Sequence, residues 1–289
     1  MLGEMCMESG TDESLDGAAE LLTQADALVI VAGAGMGVDS GLPDFRGNEG
    51  FWKAYPALGQ AGIRFAEVAS PGTFRADPEL AWGFYGHRLA LYRSTVPHPG
   101  FQILRGWADR MLHGAFVFTS NVDGHFQRAG FAEDAVHECH GSIHWLQCLR
   151  PCCADVWSAN DWQPVVDVDR CQCVGDLPAC PSCGSTLRPN ILMFNDFEWL
   201  SRRYDSGSLD AWLDKVERPV VVEIGAGSVI PSARNFSHSV VRDRGGRMIR
   251  INPREARVPT RRDVGLSLGA LAGLTAIERV LSATGREFS

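Results

Sequence analysis

A continuous apolar run from residue 27 to residue 32, followed at once by a glycine-rich turn, constrains the fold of this chain most strongly. Apolar runs of this length are typical of strands that are buried on both faces of a parallel sheet. Similar runs recur at residues 115–119, 219–224 and 248–251. Helical patterns lie between them, for example at residues 78–93 and 265–282. Because strands alternate with helices, we expect an α/β fold, a Rossmann-like parallel sheet with helices on both faces.

The composition limits the classes of function that need to be considered. The chain has 289 residues, of which 45% are hydrophobic, and its net charge is −8, which suits a folded protein and argues against nucleic acid as a partner. No apolar run approaches the roughly 18 residues that cross a bilayer, and the first residues lack the pattern of a signal peptide. We therefore expect a cytoplasmic protein with no direct nucleic-acid or membrane partner, whose oligomeric state stays open.

Two segments interrupt the alternating pattern. Residues 48–100 are rich in aromatic residues, glycine and proline, which predicts a helical insertion with a cofactor-binding loop. Residues 144–187 are rich in cysteine, proline and aspartate and lack periodicity, which predicts a small inserted module. We expect a flexible tail at residues 1–13, with Ser14 as the N-cap of the first helix. The rest is predicted to form a discontinuous Rossmann-like domain from residues 14–47, 101–143 and 188–285.

The turn after the first strand carries Gly33, Gly35 and Gly37. Glycines let a backbone approach a pyrophosphate, whose charge is met by N–H groups at the start of the next helix. The spacing departs from G-x-G-x-x-G, so a tight strand–helix turn without a ligand is the alternative. The continuation from residue 40 to residue 47, Ser-Gly-Leu-Pro-Asp-Phe-Arg-Gly, is more specific. An Asp-Phe-Arg loop over a bound nucleotide can shield its ribose from water.

Seven of the nine cysteines lie between Cys148 and Cys183, which favours a metal site over disulfides. Cys180 and Cys183 form a C-x-x-C turn, and Cys148 with Cys152 gives an upstream C-x3-C pair. Four thiolates at such spacings predict a structural zinc in a zinc-ribbon module. Cys153 is an alternative to Cys152, and free cysteines around a degenerate ribbon are the other interpretation.

The stretch from residue 33 to residue 47 resembles the signature of the sirtuins, the NAD-dependent protein deacylases. The resemblance continues, in order, along most of the chain. The further matching segments are residues 119–124, 140–142, 180–184, 188–194, 225–228 and 251–252. Six further matches in the same order make coincidence a poor explanation. The resemblance implies a large NAD-binding domain and a smaller domain that combines a zinc ribbon with a helical insertion.

The chain departs from the sirtuin pattern at several positions. Gly37 replaces a serine of the first loop, and Ser120 replaces the glutamine of a Gln-Asn pair. Asn195 and Asp196 stand where the family has Gly-Glu, and Pro231 comes one residue early after the second glycine loop. These changes surround the nicotinamide and acyl-peptide sites that the resemblance implies. An NAD hydrolase or ADP-ribosyltransferase on the same scaffold is therefore the alternative function, and a non-catalytic NAD-sensing module is a second one.

The resemblance implies an NAD-dependent protein lysine deacylase of deacetylase or desuccinylase type. Such an enzyme converts NAD and an acyl-lysine protein or peptide into nicotinamide, free lysine and O-acyl-ADP-ribose. His140 would be the base that activates a ribose hydroxyl, because imidazole titrates near neutral pH. Asn121 and Asp123 would hold nicotinamide and ribose, although they could instead cap a helix after the strand. The implied cofactor-binding residues are Gly33, Ala34, Gly35, Asp44, Phe45, Arg46, Ser120, Asn121, Asp123, Gly225, Ala226, Gly227 and Asn252.

Tyr85 and Arg88 form a Tyr-x-x-Arg pattern in the helical insertion. In some sirtuins this pair binds the carboxylate of succinyl- or malonyl-lysine, and a cation with a phenol hydroxyl suits an acidic acyl tail. The i, i+3 spacing puts both side chains on one helix face. The alternative is a pair on the helix surface, or packing against neighbouring tryptophans.

A second histidine pattern gives another interpretation of the catalytic segment. His137, His140 and His144 are spaced H-x2-H-x3-H, so a catalytic metal site is conceivable. The glycine after His140 and the strand-like context argue against the helix that such a spacing needs to bring its ligands together.

Overall fold

The computed structural model describes residues 2–44, 47–201 and 207–288. The strands are β1 (Ala27–Ala32), β2 (Ala115–Thr119), β3 (Val136–Glu138), β4 (Gly141–Cys148), β5 (Val156–Ser158), β6 (Val166–Asp167), β7 (Gln172–Cys173), β8 (Leu187–Ile191), β9 (Pro219–Ile224), β10 (Arg247–Ile251) and β11 (Val264–Leu266). The helices are α1 (Leu2–Thr23), α2 (Gly47–Ala54), α3 (Pro56–Gln60), α4 (Phe65–Val68), α5 (Pro71–Ala76), α6 (Pro78–Ser94), α7 (Gly100–Ala108), α8 (His125–Arg128), α9 (Gly207–Leu213), α10 (Ser232–Asp243) and α11 (Ala270–Thr284).

Six parallel strands form the larger sheet, in the order β11-β10-β9-β1-β2-β3. The chain leaves β1 on one side, toward β2 and β3, and later returns with β9 on the other side of β1. The strand order therefore reverses between β1 and β9. Open parallel sheets bind their ligands at such a point, outside the carboxyl ends of the strands. The loop that follows β1 is the one in which glycines predicted a nucleotide site, and the loop that follows β9 carries the second glycine segment that the resemblance implied.

Helices cover both faces of this sheet, as the sequence predicted. All six residues of β1 are fully buried, and their side chains alternate between two cores. Leu28 and Ile30 pack with side chains of α1, α7 and α11, whereas Val29 and Val31 pack with side chains of α9 and α10. Full burial of one such side chain contributes about 1.5–3 kcal/mol, so an apolar strand is strongly held between two helical layers. The α/β, Rossmann-like architecture is confirmed.

The second domain combines α2–α6 with the three-stranded antiparallel sheet β5-β4-β8 and the hairpin β6–β7. These elements share one hydrophobic core, in which Phe74, Trp82 and Tyr85 are among the largest side chains. Helix α6 lies directly on the hairpin, since a Cβ at Gly83 would fall 2.1 Å from the carbonyl oxygen of Cys171. The helical insertion and the cysteine-rich module therefore form one unit.

The boundaries of the smaller domain differ from the predicted ones. β8 was predicted to belong to the Rossmann-like domain from residue 188 onward, but it pairs antiparallel with β4 in the smaller sheet. β4 also begins at Gly141, before the predicted boundary at residue 144. The physical reason is that β4 and β8 pair with each other in one antiparallel ladder, and the cysteine-rich segment connects the end of β4 to the start of β8. Both strands must then lie in the same sheet.

The amino-terminal helix is longer than the sequence predicted. α1 spans Leu2–Thr23, so residues 2–13 are helical and do not form a separate flexible tail, and Ser14 lies inside the helix and is not its N-cap. The segment contains no proline, and Gly3 and Gly10 each weaken a helix by only about 1 kcal/mol, so nothing in it stops the helix. Neither α1 nor any other helix among the described residues is long and apolar enough to cross a membrane.

Candidate active site

Two glycine turns, one after β1 and one after β9, touch backbone to backbone. The amide of Gly33 donates to the carbonyl of Ile224 at 3.0 Å, and the amide of Gly35 donates to the carbonyl of Gly225 at 3.1 Å. A Cβ at Gly33 would lie 2.7 Å from the Cα of Ala226, and one at Gly35 would lie 2.6 Å from the Cα of Gly225. Gly225 also has a φ of +61°, which favours glycine. The glycines are therefore needed for the close approach of the two loops.

The space beside these turns fits a bound dinucleotide. A Cβ at Gly227 would meet nothing within 4 Å, so this part of the second loop borders open space. Ala34 on the first turn is exposed, and Asp44 is half-buried further along the same segment. Phe45 and Arg46, both predicted to bind cofactor, lie outside the described residues. A backbone cradle at the carboxyl ends of the central strands is what NAD requires, so the residues present suit that co-substrate.

Gly37 stands where the family has serine, and its neighbour explains a small residue there. Its φ of −81° is ordinary, so the backbone conformation does not demand glycine. A Cβ at this position would lie 3.1 Å from Cδ1 of Leu42, whose amide donates to the carbonyl of Gly37 at 3.1 Å. A Cβ at position 37 would need the side chain of Leu42 to shift by a few tenths of an ångström, so glycine relieves a tight contact here.

The segment after β2 brings Asn121 and Asp123 next to the first glycine turn. The side-chain amide of Asn121 donates to the carbonyl of Gly33 at 3.1 Å. Asp123 is only 7% exposed, and its Oδ1 accepts the amide of His125 at 2.9 Å at the start of α8. Asp123 thus bonds the first amide of α8, but the N-cap residue of this helix is Gly124. Both side chains lie on the loop that faces the point of strand reversal.

His140 lies directly before β4, and its ring contacts the start of α10. Its Nε2 is 3.0 Å from Oγ of Ser232, and the backbone carbonyl of Ser120 lies next to the ring. Burial lowers the pKa of His140, and the contact with the Ser120 carbonyl acts in the opposite direction without cancelling it. The imidazole is therefore neutral at pH 7, which a general base requires. The contact uses the backbone of Ser120, so it does not depend on the glutamine that the family has there.

The other two histidines of the H-x2-H-x3-H pattern point elsewhere. His137 stacks on Phe118 with ring centres 5.1 Å apart, and Nε2 of His144 bonds the carbonyl of Asp123 at 2.9 Å. Within the described part of the chain, the four-cysteine group is the one place where three or more ligand atoms of this kind converge. The alternative of a histidine metal site is therefore wrong.

Asn252, predicted to bind cofactor, supports the second glycine loop from behind. Its side chain is fully buried, and its Nδ2 donates to the carbonyl of Ala226 at 2.9 Å. Its Oδ1 accepts the amides of Arg254 and Glu255, each at 3.0 Å. These contacts tie the Gly225 loop to the segment after β10, so the residue helps to shape the cradle.

A buried charged network under the same loop escaped the sequence interpretation. Glu223 in β9 is fully buried and accepts two bonds from Arg250 of β10, at 2.6 and 2.9 Å. Arg234 in the first turn of α10 lies 3.5 Å from Glu223 and donates to the carbonyl of Ala226 at 2.8 Å. A charge in a buried apolar strand needs a partner, so the lone Glu in Pro-Val-Val-Val-Glu-Ile was the available signal.

The two residues that replace the family's Gly-Glu suit their positions. Asn195 has a φ of +56°, a left-handed conformation that asparagine tolerates better than most residues other than glycine. Asp196 holds Arg188 of β8 with two bonds of 2.7 and 2.9 Å, and both side chains are fully buried. A paired carboxylate with this geometry stabilises the end of the smaller sheet beside the catalytic segment. These substitutions therefore preserve the local architecture.

The four predicted cysteines come together at the far end of β4 and β8. The Sγ atoms of Cys148, Cys152, Cys180 and Cys183 all lie within 4.8 Å of one another. Two of these pairs, Cys148–Cys183 and Cys152–Cys180, are 3.6 Å apart. A tetrahedron with Zn–S bonds of about 2.3 Å has edges of about 3.8 Å, so the spacing and the donor set fit a structural zinc. Cys153 touches Cys152 at 3.6 Å but does not belong to the four.

Tyr85 and Arg88 are buried in the core of the smaller domain, so they are not a pair on the helix surface. Tyr85 is 2% exposed and Arg88 is 8% exposed. The guanidinium of Arg88 donates to the hydroxyl of Tyr92 at 2.7 and 3.0 Å and lies 5.2–5.6 Å from the ring centres of Phe84, Tyr85 and Tyr92. Burial raises the pKa of Tyr85 to about 12, so its hydroxyl stays protonated and can donate.

Comparison with known proteins identifies relatives of the chain. The model of the Sir2 family matches residues 33–222. The NAD-dependent protein deacylase of Thermococcus kodakarensis is 32% identical over 236 residues, covering 81% of this chain and 83% of the relative. NAD-dependent protein deacylase 1 of Archaeoglobus fulgidus is 30% identical over 235 residues, covering 81% and 84%. A solved complex of a Sir2 homologue with NAD superposes with a TM-score of 0.68 at 26% identity, covering 93% of this chain and 94% of that chain.

Proposed function

Because this chain belongs to the Sir2 family, we propose that it is an NAD-dependent protein lysine deacylase, the activity for which its archaeal relatives are named. The products are nicotinamide, the free lysine side chain and O-acyl-ADP-ribose. The observation that carries the proposal is the position of His140. This neutral base contacts the start of α10, which follows the second glycine loop, and lies next to the backbone of the segment after β2.

The residues around the glycine loops have separate roles in the reaction. Bound NAD would supply the sugar–nicotinamide bond, whose cleavage leaves positive charge on the carbon that the acyl oxygen attacks. His140 takes the proton of a ribose hydroxyl, since its lowered pKa leaves the imidazole neutral at pH 7. Asn121 and Asp123 hold the nicotinamide amide and the ribose. Asp44, half-buried on the segment after the first glycine turn, would help to shield the sugar from water.

Two segments beside His140 expose apolar side chains that suit an extended peptide. The amide of Leu192 donates to the carbonyl of His140 at 2.9 Å, and the chain beyond it exposes Phe197, at 96%. On the other side, the loop before α10 exposes Val229, at 94%. Exposed large apolar residues mark binding surfaces. We assign the acyl-lysine peptide to the cleft between these two segments.

The test of this function is an incubation of the protein with NAD and a panel of acetyl-, succinyl- and long-chain acyl-lysine peptides. We expect nicotinamide to appear in step with the loss of acyl mass from at least one peptide. Release of ADP-ribose without any peptide would instead support the NAD hydrolase or ADP-ribosyltransferase. Asn195 and Asp196 give that alternative no separate support, because both suit the local architecture.

Within this function, the preferred acyl group is an acidic one. Tyr85 and Arg88 bind its carboxylate. Arg88 places a positive charge within an aromatic core on α6, where few water molecules compete for it. Charge-assisted bonds to a carboxylate are stronger in such surroundings than in water. The protonated hydroxyl of Tyr85 supplies a second donor to the same carboxylate.

Replacing Arg88 by methionine is expected to lower kcat/KM for a succinyl-lysine peptide about 30-fold, the equivalent of about 2 kcal/mol for a lost bond to a charged group. The value for an acetyl-lysine peptide should change less than about 3-fold, because acetyl carries no carboxylate. Steady-state kinetics with both peptides measure the ratio. Arg242→Met, on the exposed surface of α10, is the matched control. An Arg88→Met enzyme that keeps its preference for succinyl-lysine would contradict the assignment.

A further inference from the structure

The hydroxyl of Ser232 contacts the ring of His140 at 3.0 Å, although the two residues are 92 positions apart. Ser232 is the first residue of α10. Two other serines of the same helix, Ser237 and Ser239, bond carbonyls of their own helix, at 3.1 and 2.8 Å. Ser232 thus differs from them, because its hydroxyl bridges from the start of the helix to the catalytic segment.

The contact at Nε2 allows two arrangements of the proton on a neutral imidazole. The hydroxyl of Ser232 can donate to an unprotonated Nε2 or accept from a protonated one. A base needs an unprotonated nitrogen on the side where the substrate hydroxyl arrives. Nε2 faces the start of α10, which follows the second glycine loop, so the arrangement that suits a base has the proton on Nδ1 and Ser232 as the donor.

We propose that Ser232 is a positioning residue for the base: its hydroxyl holds the His140 ring with Nε2 unprotonated and directed toward the second glycine loop. This inference rests on the proposed deacylase function, in which a ribose hydroxyl takes the place of the Ser232 hydroxyl at the lone pair of Nε2 and gives up its proton there. A donor on the lone pair favours the neutral form of the ring, which is the form that can act as a base. It also restricts rotation of the ring between the segment after β2 and α10.

The start of α10 is held firmly enough to fix the position of Ser232. Arg234, two residues further on, lies 3.5 Å from the buried carboxylate of Glu223. It also donates a hydrogen bond of 2.9 Å to the carboxylate of Glu255. The same arginine donates to the carbonyl of Ala226 in the glycine loop. These contacts tie the first turn of the helix and the loop before it to β9, next to which Ser232 reaches His140.

The experiment begins with the free protein, so that its first result does not depend on turnover. The imidazole nitrogens are followed by NMR through a pH titration in wild type, Ser232→Ala and Ser232→Thr, with Ser239→Ala as the matched control. In the alanine variant we expect the His140 titration midpoint to move upward by about 0.7 on the pH scale, as the loss of one ordinary hydrogen bond implies. We also expect the tautomer with the proton on Nδ1 to become less populated in this variant. The threonine variant keeps the hydroxyl, so its titration midpoint and tautomer population should match those of the wild type.

Kinetics provide the second result. Ser232→Ala should reduce kcat for deacylation about 10-fold, whereas KM for NAD and the rate of nicotinamide exchange, which precede the action of the base, should change less than about 2-fold. Unchanged titration of His140 in the alanine variant, or equal losses in the alanine and threonine variants, would overturn the inference. Absence of deacylation in the wild type would overturn the proposed function, and the NMR result would still decide whether Ser232 positions the ring.

Discussion

Replacing His140 by alanine is expected to reduce kcat for deacylation by about 10²–10⁴-fold, the usual contribution of a positioned general base. The ring of His140 contacts Ser232 beside the glycine loops, and its lowered pKa keeps it neutral. Its removal deprives the ribose hydroxyl of its proton acceptor but leaves the cradle for NAD intact. The measurement is steady-state deacylation of an acyl-lysine peptide, with NAD affinity determined separately by calorimetry.

The control for this variant is His113→Ala. His113 precedes β2, at the amino ends of the strands and thus at the opposite edge of the sheet from the glycine loops. Its replacement should leave kcat within about 2-fold of wild type, as is usual for residues outside the site. If His140→Ala kept the NAD turnover of the wild type, the catalytic assignment of this residue would be wrong.

The same residue predicts the pH dependence of the wild-type enzyme. Burial holds the pKa of His140 below its ordinary value of about 6.5. Because the neutral ring is the active form, kcat should be level near pH 7 and fall as the pH drops through this lowered pKa. A rate that instead rose on acidification through that range would contradict the role of His140 as the base.

Removal of the metal from the four-cysteine cluster is expected to have the largest effect on stability. Metal analysis of the purified protein should find about one zinc per chain, and structural zinc sites of this type contribute about 10–16 kcal/mol of binding energy to the folded state. Cys148 ends β4 and Cys180 lies shortly before β8, so the metal closes the ladder whose other end carries His140. We therefore expect Cys180→Ser to lose the zinc, lower the melting temperature and abolish deacylation.

Serine variants of neighbouring cysteines make this prediction specific. Cys153→Ser should keep about one zinc per chain, because its Sγ lies outside the group of four. Cys152→Ser should lose it. The opposite pattern, with Cys153 required and Cys152 dispensable, would show that the ligand set is wrong. A wild-type protein without zinc would remove the zinc-ribbon interpretation altogether.

The apolar strands and their glycine turns could be located from the sequence, because burial on both faces of a parallel sheet leaves a pattern in adjacent residues. β1 and β9 have the bounds that their apolar runs predicted. The C-x-x-C turn likewise revealed half of the cysteine cluster through spacing alone. In each of these cases the property that matters lies within a few residues of the chain.

The boundary at residue 188 could not be placed in this way. β8 is a short, fully buried strand, and its residues are compatible with either sheet. Its antiparallel ladder with β4 decided its domain, and that pairing joins residues about 45 positions apart. The same is true of α1, whose start depends on the absence of a stop signal and not on a pattern that marks it.

The sequence by itself determined the α/β class, the first glycine turn and the C-x-x-C half of the cysteine cluster, because each is a local pattern of residue types with its own chemistry. The second glycine turn and His140, the base that we propose, were located through their resemblance to sirtuin segments. Only the tertiary structure decided how these parts serve the site. It revealed that Gly33, Gly35 and Gly225 are needed for contact between two loops, and that Asn252 supports one of them. It also brought Ser232 to His140. Such contacts join segments far apart in the chain, and a hydrogen bond across that separation leaves no periodic trace in the residues on either side.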